Sequence, residues 1–249
     1  GGLGGWVSYI KGPLLAPLEL TIGATERLAA DGSVVTPLDE ERLRADLETL
    51  YARGEVEALT ICFVNAYINH AHEERAREIA REIFGDTPIS ISSEVVPEMQ
   101  EYERTETTVV NSYVRPEVSR YVNNLQTALE ERLGTDTQLS ILRSDGGLAS
   151  ARAAADSPVN LLMSGPAGGV AGAIYFCSRA GYDNILTFDM GGTSTDVALI
   201  QDSKARVRRE TYVGDVNVRA PSVDVRTVGA GGGSIAFVPE LTKALRVGP

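Results

Sequence analysis

The chain has 249 residues, of which 43% are hydrophobic and 23% charged, so it is long enough for one large buried core or two modest ones. Its formal net charge of −11 excludes the basic stripe of a nucleic-acid-binding surface, but a local phosphate site built from backbone amides stays open. Cys62 and Cys177 match no metal-ligand or redox spacing, and no apolar run approaches the roughly 20 residues of a membrane helix. We therefore expect a cytoplasmic protein with reduced cysteines that binds neither nucleic acid nor membrane.

The first half of the chain alternates between strand and helix patterns. Residues 1–6 contain four glycines, but no strand precedes them, so we expect a flexible end or a cloning remnant rather than a phosphate loop. Apolar runs and amphipathic stretches then follow one another, with Asp31-Gly32 as a hairpin signal. The pattern predicts strands over 18–28, 58–64 and 88–92 and helices over 38–53 and 72–84. Such alternation indicates an α/β architecture with parallel strands.

Residues 94–133 begin with a polar entry and continue as a long helical pattern. Pro116 interrupts it, and we expect a break or the first turn of a new helix there because proline lacks an N–H and its ring clashes with the preceding turn. The segment 98–105 near its start is rich in side chains that suit ligand contact. A solvated helix start explains the same composition equally well.

Two polar turns follow predicted strands in the middle of the chain. The strand over 139–142 leads into Arg143-Ser144-Asp145-Gly146-Gly147, at the kind of strand end where open α/β sheets bind ligands, although a plain turn fits as well. The segment 161–173 runs from apolar residues through Ser-Gly-Pro into a helix of small residues. Its glycines Gly165, Gly168 and Gly169 suit an anion site at a helix N-terminus, and they equally suit close packing of the helix.

The segment 186–200 is the most informative one in the chain. It reads as two apolar strands joined by Gly191-Gly192-Thr193-Ser194-Thr195, with Asp189 and Asp196 at the edges of the turn. Paired glycines bring backbone N–H groups close to an anion, and hydroxyls add further donors to phosphate oxygens. The two carboxylates are hard oxygen ligands of the kind that holds Mg²⁺. The pattern predicts a nucleotide phosphate site, and the alternative is an ordinary hairpin.

A second glycine-rich loop follows a predicted strand over 223–228. Gly231, Gly232 and Gly233 belong to a run of four glycines in five positions, which is costly in backbone entropy unless another group must approach closely. A flexible linker is the alternative, but the strand before the loop and the apolar residues 235–238 after it disfavour a linker.

These motifs, taken in order, resemble those of the ATP-dependent hydantoinase, 5-oxoprolinase and acetone carboxylase family, specifically its hydantoinase A-type subunit. The family belongs to the superfamily of actin, sugar kinases and chaperone ATPases. The segments that carry the resemblance are Glu101-Tyr102-Glu103-Arg104, 144–147, 164–170, 189–197, 229–236 and the closing Val247-Gly248-Pro249. The resemblance implies an α/β fold, namely a ribonuclease H-like or actin-like ATPase lobe with mixed sheets flanked by helices.

The resemblance also implies roles for individual residues. Asp189 and Asp196 would be catalytic and would organise Mg²⁺. The residues implied to contact ATP are Gly165, Gly168, Gly169, Gly191, Gly192, Thr193, Ser194, Thr195, Gly231, Gly232 and Gly233. The residues implied to face the substrate are Arg104, Ser144, Asp145 and Gly146.

The chain departs from the family pattern in three ways. Family members usually carry Asn where Asp145 stands, which puts a substrate contact there in doubt. No Gly-Gly-Thr hairpin for a first phosphate loop occurs before Asp189, and the chain stops where family members continue. We therefore expect an internal piece of a longer polypeptide, with residues 7–160 as an α/β domain that includes the end of a first lobe and residues 161–249 as a truncated second-lobe nucleotide region. Such a piece is expected to bind ATP weakly.

The function implied is that of a fragment of an ATP-dependent hydrolase of cyclic amides such as hydantoin, N-methylhydantoin or 5-oxoproline. ATP would activate the ring amide carbonyl by phosphorylation, and a hydantoinase B-type subunit or domain would be the partner. The alternatives are a subunit of an ATP-dependent ketone carboxylase and a non-catalytic, ATP-sensing regulator.

Overall fold

A computed structural model describes residues 14–214 and 216–248, so the glycine-rich start of the chain lies outside the described residues. The chain divides between Pro116 and Glu117 into two units, which are described separately below. This division falls inside a helix, whereas the sequence pattern suggested boundaries after residues 6 and 160. The three-part division remains a prediction.

The first unit contains two small sheets with helices between their strands. β1 and β2 form an antiparallel hairpin, and β3 and β4 pair in parallel, as the sequence predicted for an α/β region. The strands are β1 (Arg27–Leu28), β2 (Val34–Thr36), β3 (Leu59–Ile61) and β4 (Ile89–Ile91), and the helices are α1 (Glu40–Ala52), α2 (Ala71–Phe84), α3 (Ser92–Val95) and the first part of α4 (Glu101–Leu133).

The core of this unit forms where one face of α1 meets α2 and the parallel strands. Asp39 begins α1, and its carboxylate accepts a hydrogen bond from the backbone N–H of Arg42, which satisfies one of the free donors of the first turn. Leu43, Leu47 and Leu50 recur at helical spacing and are buried in a cluster with α2. Each fully buried leucine contributes about 1.5–3 kcal/mol of hydrophobic stabilisation.

Two predictions for the first unit were wrong. Most of the predicted strand over 18–28 is absent, because the chain after Pro17 turns through a 3₁₀ segment, Leu18–Leu20, and Thr21 closes that turn onto the carbonyl of Pro17. Pro116 does not break the helix, since α4 continues through it. Val110 and Val122 are buried on either side of Pro116, and their burial helps to offset the roughly 3 kcal/mol that an interior proline costs.

The second unit is built around one four-stranded antiparallel sheet. Its main path has the order β14-β8-β7, and β9 pairs with β8 beyond that path. The strands are β5 (Ser140–Leu142), β6 (Leu148–Ser150), β7 (Ile185–Met190), β8 (Thr195–Gln201), β9 (Lys204–Ala205), β10 (Val207–Arg208), β11 (Thr211–Val213), β12 (Val216–Val218), β13 (Ser222–Val223), β14 (Val225–Val228), β15 (Ile235–Phe237) and β16 (Arg246–Gly248), and the helices are α5 (Ala151–Asp156), α6 (Ser164–Arg179) and the rest of α4.

One face of this sheet is covered by α6. Ala167 and Val170 of the helix pack against Ala198, Ile200 and other alternate residues of the strands to form the core of the unit. The opposite face carries Leu186, Phe188 and Met190 of β7, which are mostly exposed. Among the described residues, no helix is both long enough and apolar enough to cross a membrane.

Candidate functional site

Two carboxylates lie opposite each other across the hairpin of β7 and β8. The register pairs Asp189 directly with Asp196, so both side chains stand on the face that α6 covers. Directly paired residues place their Cβ atoms about 4.5–5.5 Å apart, and like charges at such positions repel. Both carboxylates line a groove of about 380 Å³ between α6 and the sheet. The arrangement suits a cation between the two aspartates.

The turn between the strands presents unpartnered hydrogen-bond donors beside these carboxylates. The backbone N–H of Gly191 donates to the carbonyl of Ser194 at 2.9 Å and closes the turn. Within residues 14–214 and 216–248, the N–H groups of Gly192, Thr193 and Ser194 have no acceptor, and the hydroxyls of Thr193 and Ser194 also have no partner. Backbone N–H groups are obligatory donors, so this exposed cluster is able to receive an anion.

The glycine-rich loop after β14 docks on that turn. Gly232 donates its N–H to the carbonyl of Gly191 at 2.9 Å, and Gly233 donates to that of Gly192 at 2.7 Å. A Cβ atom at Gly231 would lie 2.6 Å from the carbonyl oxygen of Gly191, a distance that real Cβ atoms do not adopt. A Cβ atom at Gly233 would lie 3.0 Å from the carbonyl oxygen of Gly192, so Gly231 and Gly233 serve the close approach of two backbones, which the sequence favoured over a flexible linker.

The same docking uses several groups that the sequence assigned to nucleotide binding. Thr195 is buried, and its hydroxyl donates to the carbonyl of Ala230 at 2.6 Å. The N–H of Gly231 donates to the hydroxyl oxygen of Ser234 at 2.9 Å. The amides of the loop and the hydroxyl proton of Thr195 are thus occupied by protein acceptors. A contact of these residues with ATP remains a prediction and would have to use other atoms.

The start of α6 lies beside the carboxylates. A Cβ atom at Gly169 would lie 3.8 Å from Oδ2 of Asp189, and one at Gly168 would lie 3.1 Å from Cδ2 of Leu142 on β5. A Cβ atom at Gly165 would meet no atom within 4 Å. Close packing therefore explains Gly168, whereas Gly169 brings the helix backbone to the carboxylate groove. The three motifs 165–169, 189–196 and 231–233 converge on one region of the second unit.

One residue of this region escaped the sequence analysis. Thr227 of β14 lies directly opposite Asp196 in the register, and its hydroxyl donates to Oδ1 of Asp196 at 2.6 Å. With Thr227, the polar end of the sheet includes a residue from a third strand, β14. An isolated threonine in an apolar strand gives no signal of its own, and only the register of β14 against β8 reveals it.

The carboxylate pair fits a Mg²⁺ ion that is also bound by a nucleotide. In the described part of the chain, no group of three or more His, Cys, Asp or Glu side chains is placed to hold a metal ion. Mg²⁺ commonly uses one or two carboxylates, with waters and substrate phosphates completing its octahedron. Asp189 and Asp196 beside the donor-rich turn therefore suit a Mg²⁺–nucleotide complex better than an ion held by protein ligands alone.

Most polar groups of the turn of residues 143–147 have protein partners, although Nε of Arg143 is buried and has none among the described residues. Ser144 is buried, and its hydroxyl oxygen accepts the N–H of Met163 just before α6. Asp145 pairs with Arg143 at 2.8 Å and accepts the N–H of Gly147 at 2.9 Å. Gly146 has φ +86°, a backbone conformation that favours glycine. The substrate role of these residues remains a prediction, and the contacts here explain each residue type through the turn itself.

Arg104, the other predicted substrate residue, is buried in the first unit with 1% of its surface exposed. Its guanidinium donates to the hydroxyl of Ser92 at 3.0 Å, to the carbonyl of Glu98 at 3.0 Å and to the carbonyl of Phe63, and it lies 5.5 Å from the ring centroid of Tyr67. These contacts tie the start of α4 to the ends of β3 and β4. A substrate contact by Arg104 is untested, and each of its three guanidinium nitrogens already donates to a protein acceptor.

The first unit also contains a larger and mainly apolar groove of about 590 Å³ beside β3. Its walls come from α1, from residues 55–63 and from the chain around Leu20. None of the predicted site residues lines it. Of the predicted site residues, Gly169, Asp189 and Asp196 line the smaller groove in the second unit.

Two family models match the chain. The model of the hydantoinase/oxoprolinase family matches residues 104–249, and the model of the hydantoinase/oxoprolinase N-terminal region matches residues 9–84. The chain belongs to the hydantoinase/oxoprolinase family. The resemblance that the motifs implied is thereby confirmed, and the first of these matches contains the hairpin, the glycine-rich loop and the start of α6.

Curated relatives from bacteria and yeast carry the same region. The chain is 35% identical to caprolactamase subunit alpha from Pseudomonas jessenii over 97% of its length, 36% identical to the acetophenone carboxylase gamma subunit from Aromatoleum aromaticum over 93%, and 36% identical to 5-oxoprolinase from Saccharomyces cerevisiae over 81%. These alignments cover 34%, 32% and 15% of the respective relatives. The chain therefore spans about a third or less of the length of these family members.

Solved structures of family members share the fold. A nucleotide-free structure of acetone carboxylase, described as ATP-dependent, matches 98% of this chain and 34% of that chain with a TM-score of 0.80 at 32% identity. The crystal structure of ATP-dependent caprolactamase from Pseudomonas jessenii matches 97% of this chain and 35% of that chain with a TM-score of 0.81 at 34% identity. The α/β fold class expected from the sequence is confirmed.

Proposed function

We propose that this chain is the nucleotide-phosphate-binding part of an ATP-dependent enzyme that hydrolyses cyclic amides. The observation that carries the proposal is the opposed pair Asp189 and Asp196 beside a turn with three unpartnered backbone donors. Caprolactamase and 5-oxoprolinase, whose names denote action on cyclic amides, are relatives at 35% and 36% identity. Their names support the substrate class, and the site supports the use of a nucleotide.

In this proposal the turn of the hairpin binds phosphate and its two aspartates bind Mg²⁺. The N–H groups of Gly192, Thr193 and Ser194 bind phosphate oxygens, and the hydroxyls of Thr193 and Ser194 add further donors. Asp189 and Asp196 bind Mg²⁺ directly or through its waters. Bound ATP would supply the phosphoryl group that activates the amide oxygen for ring opening. The protein contributes position and charge, because phosphoryl transfer depends mainly on these two factors.

The docked glycine loop supports this role by fixing the shape of the turn. Its two hydrogen bonds go to the carbonyls of Gly191 and Gly192, so the peptide groups on either side of Gly192 are held in place. Donors that are held before the ligand arrives cost less to organise during the reaction. The loop thus acts on the nucleotide through the turn.

Carboxylation of a ketone is the second candidate. Acetone carboxylase and acetophenone carboxylase subunits match the chain at 32% and 36% identity, which is close to the values for the amide hydrolases. Activation of a carbonyl oxygen by ATP serves both reactions. The phosphate site therefore fits either one, and only the substrate distinguishes them.

A partner and a location belong to the same proposal. Relatives are named as alpha, beta and gamma subunits, which supports a second, hydantoinase B-type subunit or domain as the partner. Cys62 and Cys177 are both free thiols, which supports a reducing, cytoplasmic setting.

Calorimetric titration with ADP, in the presence and absence of Mg²⁺, tests the phosphate site. The original protein is expected to bind more tightly with Mg²⁺, and Asp196→Asn is expected to lose that difference. Asp202→Asn is the matched control, because it makes the same charge change at the far end of β8 and its positive φ suits asparagine. An ADP affinity that changes neither with Mg²⁺ nor with the Asp196 substitution would overturn the proposed site.

The substrate class is tested by nucleotide hydrolysis in the assembled enzyme. Phosphate release from ATP is measured with hydantoin, with 5-oxoproline, and with a ketone plus bicarbonate. Stimulation by a cyclic amide, with appearance of the ring-opened acid, supports the hydrolase. Stimulation by the ketone and bicarbonate alone would replace it with the carboxylase.

A further inference from the structure

Asp189 and Asp196 differ in how they are held. The hydroxyl of Thr227 donates to Oδ1 of Asp196 at 2.6 Å across two directly paired strands. Within the residues that the structure describes, no donor is placed on the carboxylate of Asp189. The two carboxylates therefore face the same groove with unequal freedom.

We propose that Thr227 is a positioning residue that orients the carboxylate of Asp196 for a divalent cation. The inference rests on the proposed nucleotide site. Threonine is stiff at χ1, and the paired strands fix its backbone, so its hydroxyl reaches Asp196 from a defined direction. With one carboxylate oxygen engaged, the other is presented to the groove in a narrow range of orientations. A hydrogen-bonded carboxylate is the usual form of a metal ligand.

The position of this hydrogen bond argues against a purely structural role. Thr227 is exposed, and water competes for hydrogen bonds at exposed positions, so this bond contributes little to folding. Its consequence lies in the orientation of Asp196.

The hydrogen bond is made to only one of the two aspartates. Mg²⁺ demands near-ideal octahedral geometry, so a carboxylate that is already oriented favours its binding. The second carboxylate, on Asp189, stays free to adjust to a bound cation or to one of its waters. Loss of Thr227 should therefore weaken cation binding without removing either carboxylate.

Manganese binding in the presence of ADP tests the inference. Free Mn²⁺ is measured by electron paramagnetic resonance in the assembled enzyme, made with the original protein, with Thr227→Val, which removes only the hydroxyl donor, and with Thr227→Ser, which keeps it. Thr227→Val is expected to weaken Mn²⁺ binding by roughly 10- to 100-fold, and Thr227→Ser by much less. Melting temperatures of both variants are measured alongside and are expected to match that of the original protein.

The outcomes separate the two proposals. Suppose that the original protein binds Mn²⁺ with ADP and that Asp196→Asn does not. Unchanged Mn²⁺ binding in Thr227→Val then overturns the positioning role and leaves the nucleotide site intact. Failure of the original protein to bind Mn²⁺ with ADP overturns the nucleotide site itself, and the inference falls with it. Equal weakening in Thr227→Val and Thr227→Ser also contradicts the inference, because serine retains the donor.

Discussion

The first unit buries a saturated charged network, whereas the second unit leaves charged and polar groups unpartnered at a groove. Glu73 is fully buried, and its carboxylate accepts the N–H groups of Phe63 and Ser93 and the hydroxyl of Ser92. Arg104 donates to the same Ser92 hydroxyl. At the hairpin of β7 and β8, by contrast, two carboxylates oppose each other next to free backbone donors.

This difference separates structural polar residues from ligand-binding ones. A buried polar group is tolerated only when its hydrogen bonds are made, so a saturated network indicates a role in folding. Like charges on directly paired residues repel, and a cation bound between them would relieve that repulsion. By this criterion we expect Arg104 to be a structural residue, and we propose Asp189 and Asp196 as binding residues.

The largest effect on stability is expected when the saturated network is broken. Glu73→Gln keeps the shape of the side chain but replaces one carboxylate oxygen with an NH₂ group, which then faces a backbone or hydroxyl donor. Each hydrogen bond to a buried charged group contributes about 1.5–3 kcal/mol, and the substitution disrupts at least one of three. Urea denaturation of the variant should show a loss of this order.

The neighbouring Glu74 gives the matched control for this substitution. It is half-buried on the same helix, and its one ion pair, with His70, is loose at 3.8 Å. Glu74→Gln should therefore change the free energy of unfolding by less than about 0.5 kcal/mol. Equal stabilities of the two variants would mean that saturation of Glu73 contributes nothing to folding.

A smaller effect is expected from filling the contact between the glycine loop and the turn. Gly231→Ala places a Cβ atom 2.6 Å from the carbonyl oxygen of Gly191, so one backbone must move. Overpacking of this kind costs about 1–3 kcal/mol. Because the loop holds the turn, Mg²⁺-dependent binding of ADP should weaken as well. Denaturation and calorimetry measure the two effects.

The next residue, Gly232, separates overpacking from the general cost of an added methyl group. A Cβ atom there would lie 3.7 Å from the carbonyl of Gly191, which is ordinary van der Waals contact. Gly232→Ala should retain both stability and nucleotide binding. If Gly232→Ala loses stability and nucleotide binding to the same extent as Gly231→Ala, the close approach at Gly231 does not explain the loss in either variant.

The sequence was sufficient to predict the residues of the site that follow local rules. The hairpin of β7 and β8, the helix after Gly165 and the parallel pair β3–β4 follow from apolar periodicity and from turn composition. The role of Gly231 was also accessible, because a run of glycines between strands indicates close approach.

Contacts between segments that are distant in sequence were not predictable in this way. Thr227 depends on the register of β14 against β8, and the saturation of Arg104 depends on three segments that meet only after folding. The continuation of α4 through Pro116 likewise depends on buried residues at both of its sides. Local propensity is overridden in each case by tertiary packing.

A residue that serves only ligand binding should be dispensable for folding. A substitution of Asp189 tests this expectation. Asp189→Asn removes the repulsion between directly opposed carboxylates, so the free energy of unfolding should stay the same or rise by about 0.2–1 kcal/mol. The same variant should lose Mg²⁺-dependent binding of ADP. Asp202→Asn, which is remote from the pair, should change neither property. A marked loss of stability in Asp189→Asn would move Asp189 into the structural class.

The smallest effect is expected at an exposed pair that is satisfied but open to water. The hydrogen bond from Arg75 lowers the pKa of Glu40 below its ordinary 4.5. A lowered carboxyl pKa stabilises the fold above the unfolded value of about 4.3, and this contribution is lost as the pH falls through the folded value. Water screens the pair, so the stability difference between the original protein and Glu40→Gln should be slight near pH 7 and smaller at an acidic pH below the unfolded value. Urea denaturation at both pH values measures it, and a difference that grew on acidification would contradict the assigned sign.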